Sequence, residues 1–428
     1  MKLLTTSFIA VFAFAMLVPS RAENWPGFRG PTGQGHSNEK GLPLHWSADS
    51  NVLWKAAIPG DGWSSPIVWE ERVLVSTTTE NGTKCRVLCF DAKKGAVLWD
   101  NQLFEQVPRR KEGKNSFATP TPVTDGKRVY VVFGDGSVAA LAFDGTIAWT
   151  NREVEFYSRH GLGASPVLHD GLLIMPYDGS NRTDKPGQYP NNTPEERLGW
   201  QLPWDKSFIA ALNVKTGKRV WTGRRGQSRI AHMTPVVMGE GSRQVILSAA
   251  GDVVQAFDPK NGERLWSVYS QGEGVVPTPV AGGGLVFASS GFEKTTLRAI
   301  RPGGRGDVTS THIAWEQKKG APTQPSLLFA NELLFAITDG GIATCYQPKT
   351  GDIVWQERVG GNFCASPVWA EGQIYFLNEA GETIVTEAAD QFKVVAKSPL
   401  GEKCQASMAV SGGRLFIRSD KNLWCIGR

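Results

Sequence analysis

The chain has 428 residues, with 46 Lys and Arg against 41 Asp and Glu and a formal net charge of +5. The two signs alternate along its length, which excludes a basic face for nucleic acid. Its 48 Gly, 15 Trp, 20 Phe and 7 Tyr suit an all-β protein rich in turns.

Residues 1–22 read as a secretory signal: Lys2 supplies positive charge, Leu3 to Val18 is mostly apolar, and Ser20-Arg21-Ala22 is a small-x-small cleavage site. The apolar stretch is short for a membrane span and ends at Pro19, so no transmembrane span is expected after cleavage. No Cys stands at the cleavage site, which argues against a lipoprotein anchor. The mature chain, at +3 without Lys2 and Arg21, is expected to be periplasmic or secreted and monomeric.

Residues 23–50 form an N-terminal extension. Its Gly and Pro residues between Asn24 and His36 exclude a helix or long strand, and Trp25, Phe28 and Arg29 need partners. A staple across the rest of the fold is expected, with ligand contact as the alternative. A phosphate loop is not, because no strand precedes the glycines and no helix follows.

From residue 51 a strand-closing tryptophan recurs at Trp54, Trp99, Trp149, Trp221, Trp266, Trp315 and Trp355, mostly 40 to 50 residues apart. That is the period of a four-stranded propeller blade. Each unit opens on a Ser/Thr-Pro first strand: Ser65-Pro66, Thr119-Pro120, Ser165-Pro166, Thr234-Pro235, Thr278-Pro279 and Ser366-Pro367, with Gln324-Pro325 in blade six and Ser407-Met408 in blade eight. Pro at a strand start costs the ladder little. Turns such as Asp91 to Gly95 and Asp258 to Gly262 precede the Trp strand, with Gly supplying φ > 0. Cys89, Cys345 and Cys425 occupy the small third-strand position where other blades carry Ala142, Ala211, Ala256 or Ala299.

The eighth copy stops after its third strand, Leu423 to Ile426, while the Asn51–Trp54 strand has no blade before it. Pairing these ends completes an eight-bladed β-propeller over residues 51–428 and removes both open edges. Blade seven carries Ala396 in place of Trp, and blade three gains an insertion at about 179–206. Cys364 and Cys404 precede the first strands of adjacent blades, so a disulfide between them is open in an oxidising compartment.

The regular part explains itself as packing, so function is sought where the repeat breaks. The loops leading into the first strands share one face around the channel and carry Trp63, Asn115, Arg159, His160, Arg229, His232, Glu273, Gln324, Asn362 and Lys403. Two His and several Arg around a concave mouth could hold an anion or a carboxylate-bearing ligand. No catalytic residue and no metal site is assigned.

The run Ala211-Leu-Asn213-Val-Lys-Thr216-Gly217-Lys-Arg-Val-Trp221 resembles the repeat of quinoprotein (PQQ-type) propellers, and Ala256 to Trp266 departs only at Asn261. The Trp25-Pro-Gly-Phe-Arg-Gly-Pro31 segment looks like exported propeller proteins of the planctomycete type. The dehydrogenase class of this resemblance implies PQQ and calcium, held by adjacent cysteines and a carboxylate set. Here no two cysteines adjoin, and Asp61 and Glu273 are too few for calcium. No cofactor is therefore expected, with PQQ and calcium as the alternative. The BamB-like class implies a scaffold that binds partners through its loops. The leading expectation is a non-catalytic exported propeller that binds a partner protein, an envelope polymer or a small ligand. A PQQ-dependent oxidoreductase is the alternative, and a carbohydrate-active enzyme a further one.

Overall fold

The computed structural model describes residues 22–109, 111–154, 156–158, 160–179, 207–226, 228, 230–270, 275–291 and 294–428. The signal segment before Ala22 and the blade-three insertion from residue 180 to 206 lie outside the described residues. The strands form eight antiparallel four-stranded blades in a ring, two of them widened by a short fifth strand that pairs parallel.

Blade one sets the pattern, with strands Ile67–Trp69, Arg72–Thr79, Lys84–Asp91 and Val97–Glu105. The three inner strands are largely buried, while Val97 and Leu98 on the outer strand stand in solvent. The turn before that outer strand follows the chemistry read from the sequence. The Asp91 carboxylate accepts the N–H groups of Lys93 and Lys94, and Gly95, at φ 70°, donates its N–H to the Asp91 carbonyl.

Each outer-strand tryptophan reaches into the next blade. The Trp221 indole N–H donates to the Pro259 carbonyl at 3.0 Å, and its ring lies so close under Gly262 that an added Cβ would come within 2.4 Å. Trp54 repeats this with Ala92 and Gly95, Trp149 with Val214 and Gly217, and Trp315 with Pro348 and Gly351. The turn glycine thus serves twice, for its positive φ and for the close approach of the neighbouring ring. This explains why Gly and Trp recur together in the sequence.

Two register assignments differ from expectation. In blade two Trp149 pairs with Ala140, not Ala142, because Asp144-Gly145 closes a tight hairpin in which the Ala142 N–H already donates to Thr146. In blades two and six the first strands are Val123–Thr124 and Leu328–Ala330, so the residues equivalent to Ser65 are Thr121 and Ser326, two positions after Thr119 and Gln324. The six cysteines are free thiols, and Cys364 and Cys404 are not bonded.

The ring closes as the repeat predicts. Val52–Ala57 pairs antiparallel with Asn422–Ile426, with Trp54 opposite Cys425. The buried Arg418 of blade eight donates to the Ser64 and Ser76 carbonyls of blade one, and Lys55 pairs with Glu402 at 2.7 Å.

The N-terminal extension staples the face opposite the first-strand loops. Trp25 bridges Val68 in blade one, the Pro26 carbonyl accepts the Thr124 N–H in blade two, and Gln34 accepts the Ala281 N–H in blade five. The buried Arg29 donates to the Leu327 carbonyl of blade six, His36–Ser37 pairs parallel with Trp369–Ala370 of blade seven, and Glu39 caps Gly412 and Gly413 of blade eight.

Candidate functional site in the central channel

The first strands line the channel, and their sequence decides what it presents. The residue before proline is confined to extended backbone, where residues two apart point to the same side. Ser65, Thr121, Ser165 and Thr234, followed by Thr278, Ser326, Ser366 and Ser407, therefore form a tier of hydroxyls, one per blade. They are linked in two runs, one from blade one to blade four and one from blade five to blade eight. The N–H of Ser65 donates to Thr121 Oγ1 at 2.9 Å, that of Thr121 to Ser165 Oγ at 2.9 Å, and that of Ser165 to Thr234 Oγ1 at 3.0 Å. The same bond runs from Thr278 to Ser326, from Ser326 to Ser366, and from Ser366 to Ser407 at 2.9 to 3.0 Å. Blade-to-blade amides thus bond six of the eight oxygens, which gives the tier an architectural role, while the buried Thr278 Oγ1 has no partner.

Two residues earlier on each strand lies a second tier. Trp63, Thr119, Gly163 and His232 stand on blades one to four, and Val276, Gln324, Cys364 and Gln405 on blades five to eight. All eight line a cavity of about 730 Å³. Whereas the hydroxyl tier repeats, these eight positions carry seven residue types, with only Gln used twice, so the chemical character of the cavity is set here. Phe28 reaches the cavity from the extension stapled across the opposite face. Glu112, Lys114, Asn115 and His160 line it on the loop-bearing side.

The loop bearing Lys114 crosses the mouth. Lys114 follows blade one, yet its ammonium pairs with Glu379 of blade seven at 2.7 Å. On the other side the Glu112 N–H and the Asn115 amide donate to the His160 carbonyl at 3.1 and 2.7 Å. Below this strap the Cys364 thiol donates its one proton to Glu379 at 2.9 Å, with Gln324 Oε1 3.0 Å from the sulfur. Burial and the adjacent Glu379 carboxylate push that thiol far above its ordinary pKa, so Cys364 is a neutral donor and not a nucleophilic thiolate. Against the desolvation of burial, the bonds from Cys364 and Lys114 hold Glu379 below the usual carboxylate range.

His160 and His232 stack with ring centroids 5.8 Å apart and planes 27° from parallel. Burial, then the charge of His160, pushes His232 down to about 3, so its imidazole is neutral at physiological pH. An anion site built on a cationic His232 is therefore not what this geometry offers.

The structure brings together Trp63, Asn115, His160, His232 and Gln324 of the residues singled out from sequence. Lys403 lies over the Trp63 ring, 5.5 Å from its centroid. Asn362 does not line the cavity; its carbonyl accepts the Glu379 N–H at 2.7 Å. Arg159, Arg229 and Glu273 lie outside the described residues. Phe28, for which the sequence left ligand contact as the alternative to a staple, lines the cavity, whereas sequence reasoning missed Lys114, Cys364 and Gln405 as cavity residues. Counting back two residues from each hydroxyl would have found the last two. Among the described residues no group of three or more His, Cys, Asp or Glu could hold a metal ion, and no helix is long and apolar enough to cross a membrane.

The sequence family described as outer membrane protein assembly factor BamB matches residues 44–183, 204–327 and 305–394. The solved structure of BamB from Moraxella catarrhalis is similar over 88% of this chain and 97% of its own, at 14% identity and a TM-score of 0.58. A europium-containing methanol dehydrogenase is similar over 94% of this chain and 90% of its own, at 12% identity and a TM-score of 0.60. At such identities these likenesses show the fold alone. The tetrathionate hydrolase of Acidithiobacillus ferrooxidans is 21% identical over 335 residues, which is 77% of this chain and 52% of that protein. The chain thus spans about half the length of this curated relative.

Proposed function

The chain belongs to the family of outer membrane protein assembly factor BamB, and from that premise we propose that it is an exported, non-catalytic propeller that binds its ligand in the channel at the loop-bearing face. The ligand is a small molecule, or the end of a partner protein or envelope polymer. The observation that carries this reading is the channel cavity: about 730 Å³, walled by the varied residues of the second tier above the hydroxyl tier, with Phe28 at the stapled end. That volume falls within the range of small-ligand sites.

The groups lining the cavity suit binding better than chemistry. Its thiol is protonated, its lysine is engaged by Glu379, and its buried histidine is neutral. The quinoprotein resemblance implies PQQ and calcium, and the described residues do not fit them. Cys364 is the only cysteine lining the cavity, and no set of acidic ligands converges there. The reading accordingly expects no cofactor.

Native mass spectrometry of the protein recovered from a cell envelope tests the proposal. Wild type should retain a bound mass that Trp63→Ala loses, because an aromatic wall residue supplies much of the contact area. A protein that retains nothing, yet takes up PQQ with calcium and develops the quinone absorbance, would sink it in favour of the oxidoreductase.

A further inference from the structure

Gln405 is 8% exposed, lines the cavity, and leaves both its amide nitrogen and its amide oxygen without a hydrogen-bond partner. Its neighbours in the sequence, Cys404 and Ala406, are buried as well. Buried amides are ordinarily paired, and one left unpaired in the wall of a cavity is a group that an entering ligand can satisfy. In a ring of eight, blade four faces blade eight. His232 on blade four lines the opposite wall, and its buried Nδ1, which packs beside Gly163 of blade three, is also without a partner. Thr119 on blade two and Gln324 on blade six stand at right angles to it, while Trp63 on blade one, beside Gln405, and Val276 on blade five, beside His232, form an apolar facing pair.

These positions define an occupant. A glutamine amide offers one donor and one acceptor side by side, and its complement is another amide edge. Fixed charge is disfavoured, because the lysine at this site is neutralised by Glu379 and Glu112 stands exposed at the mouth. The apolar pair accepts a small non-polar body between the polar walls.

We infer that the channel binds a neutral ligand by an amide edge, with adjacent N–H and C=O read by Gln405 and His232 on the opposite wall. The inference rests on the proposed channel site and specifies its ligand class. Such an edge belongs either to the backbone of a peptide end or to a small cyclic amide.

Isothermal titration of the full mature chain with three probes decides it: N-acetyl-alanyl-alanine amide, hydantoin and citrate. At least one amide probe should bind, and the stronger of the two identifies the source. Gln405→Leu should weaken that probe about tenfold or more. The same substitution should raise the thermal midpoint of the unliganded protein, because it removes an unpaired buried amide. Gln405→Met serves if the leucine variant does not fold. A lowered midpoint with unchanged affinity overturns the inference by marking Gln405 as structural. Binding of citrate alone overturns it and leaves the channel reading standing. Binding of none of the probes overturns it too, while the mass retained by wild type and lost in Trp63→Ala decides the channel reading separately.

Discussion

Val385 stands directly across the sheet from Ala396, where the other blades set a small residue opposite a tryptophan. Those pairs are Cys89 with Trp99, Ala140 with Trp149, Ala211 with Trp221, Ala256 with Trp266, Ala299 with Trp315, Cys345 with Trp355 and Cys425 with Trp54. Blade seven has therefore exchanged large and small across one ladder position, and it is a complete blade, not a failed repeat. Trp46 of the extension joins the same buried cluster as Ala396. Ala396→Trp alone should overpack this cluster and cost about 1–3 kcal/mol. Adding Val385→Ala should recover part of that loss, and urea denaturation of both single variants and the double should show the coupling.

The interblade lock makes a second prediction. Gly262→Ala places a Cβ against Trp221 at a backbone φ of 73°, and should cost about 2 kcal/mol or more. Trp221→Ala should cost about 3–5 kcal/mol in the same measurement, since the ring is 8% exposed. Equal stability of Gly262→Ala and wild type would show that the close approach carries no energetic weight.

Acid should loosen the ring at its seam. Despite desolvation, Lys55, Ser419, Asn422 and Trp424 hold the Glu402 carboxyl down at about 2. A carboxylate depressed on folding contributes stability that is present above its unfolded value of about 4.3 and is lost as pH falls towards the folded one. Glu402→Gln should therefore be less stable than wild type by about 2 kcal/mol at pH 6, and the gap should close between pH about 4.3 and about 2. A gap of constant size across that window would remove the ion pair from the account of closure.

Between blades three and four, Arg225 is fully buried against Asp178, with Nη2 and Oδ2 2.9 Å apart. Arg225→Met leaves a buried carboxylate uncompensated and should cost about 3–5 kcal/mol. The double variant Asp178→Leu/Arg225→Met should be much closer to wild type in chemical denaturation, since replacing a whole buried pair by apolar groups is often neutral.

Thiol chemistry checks the cysteine assignments. The protein unfolded without reductant should titrate six free thiols. A count of four would mean that Cys364 and Cys404, or another pair, had bonded.

The sequence by itself determined the blade count, the closure and the interblade lock. Each rests on local rules: a proline that starts a strand, a glycine that takes a positive φ, a tryptophan at fixed spacing, and an unpaired strand at each end. It also pointed to the loop face and to Trp63, His160, His232 and Gln324. The tertiary structure decided which residues share the cavity. Alternation along a strand says that residues 405 and 407 point the same way, but only the ring sets Gln405 opposite His232 and lets Lys114 reach Glu379 across the mouth. The bonding of six of the eight hydroxyls, against the unpartnered amide of Gln405, likewise depends on bonds between adjacent blades. Such bonds join residues some forty or more positions apart, so the repeat shows the hydroxyls but not their partners.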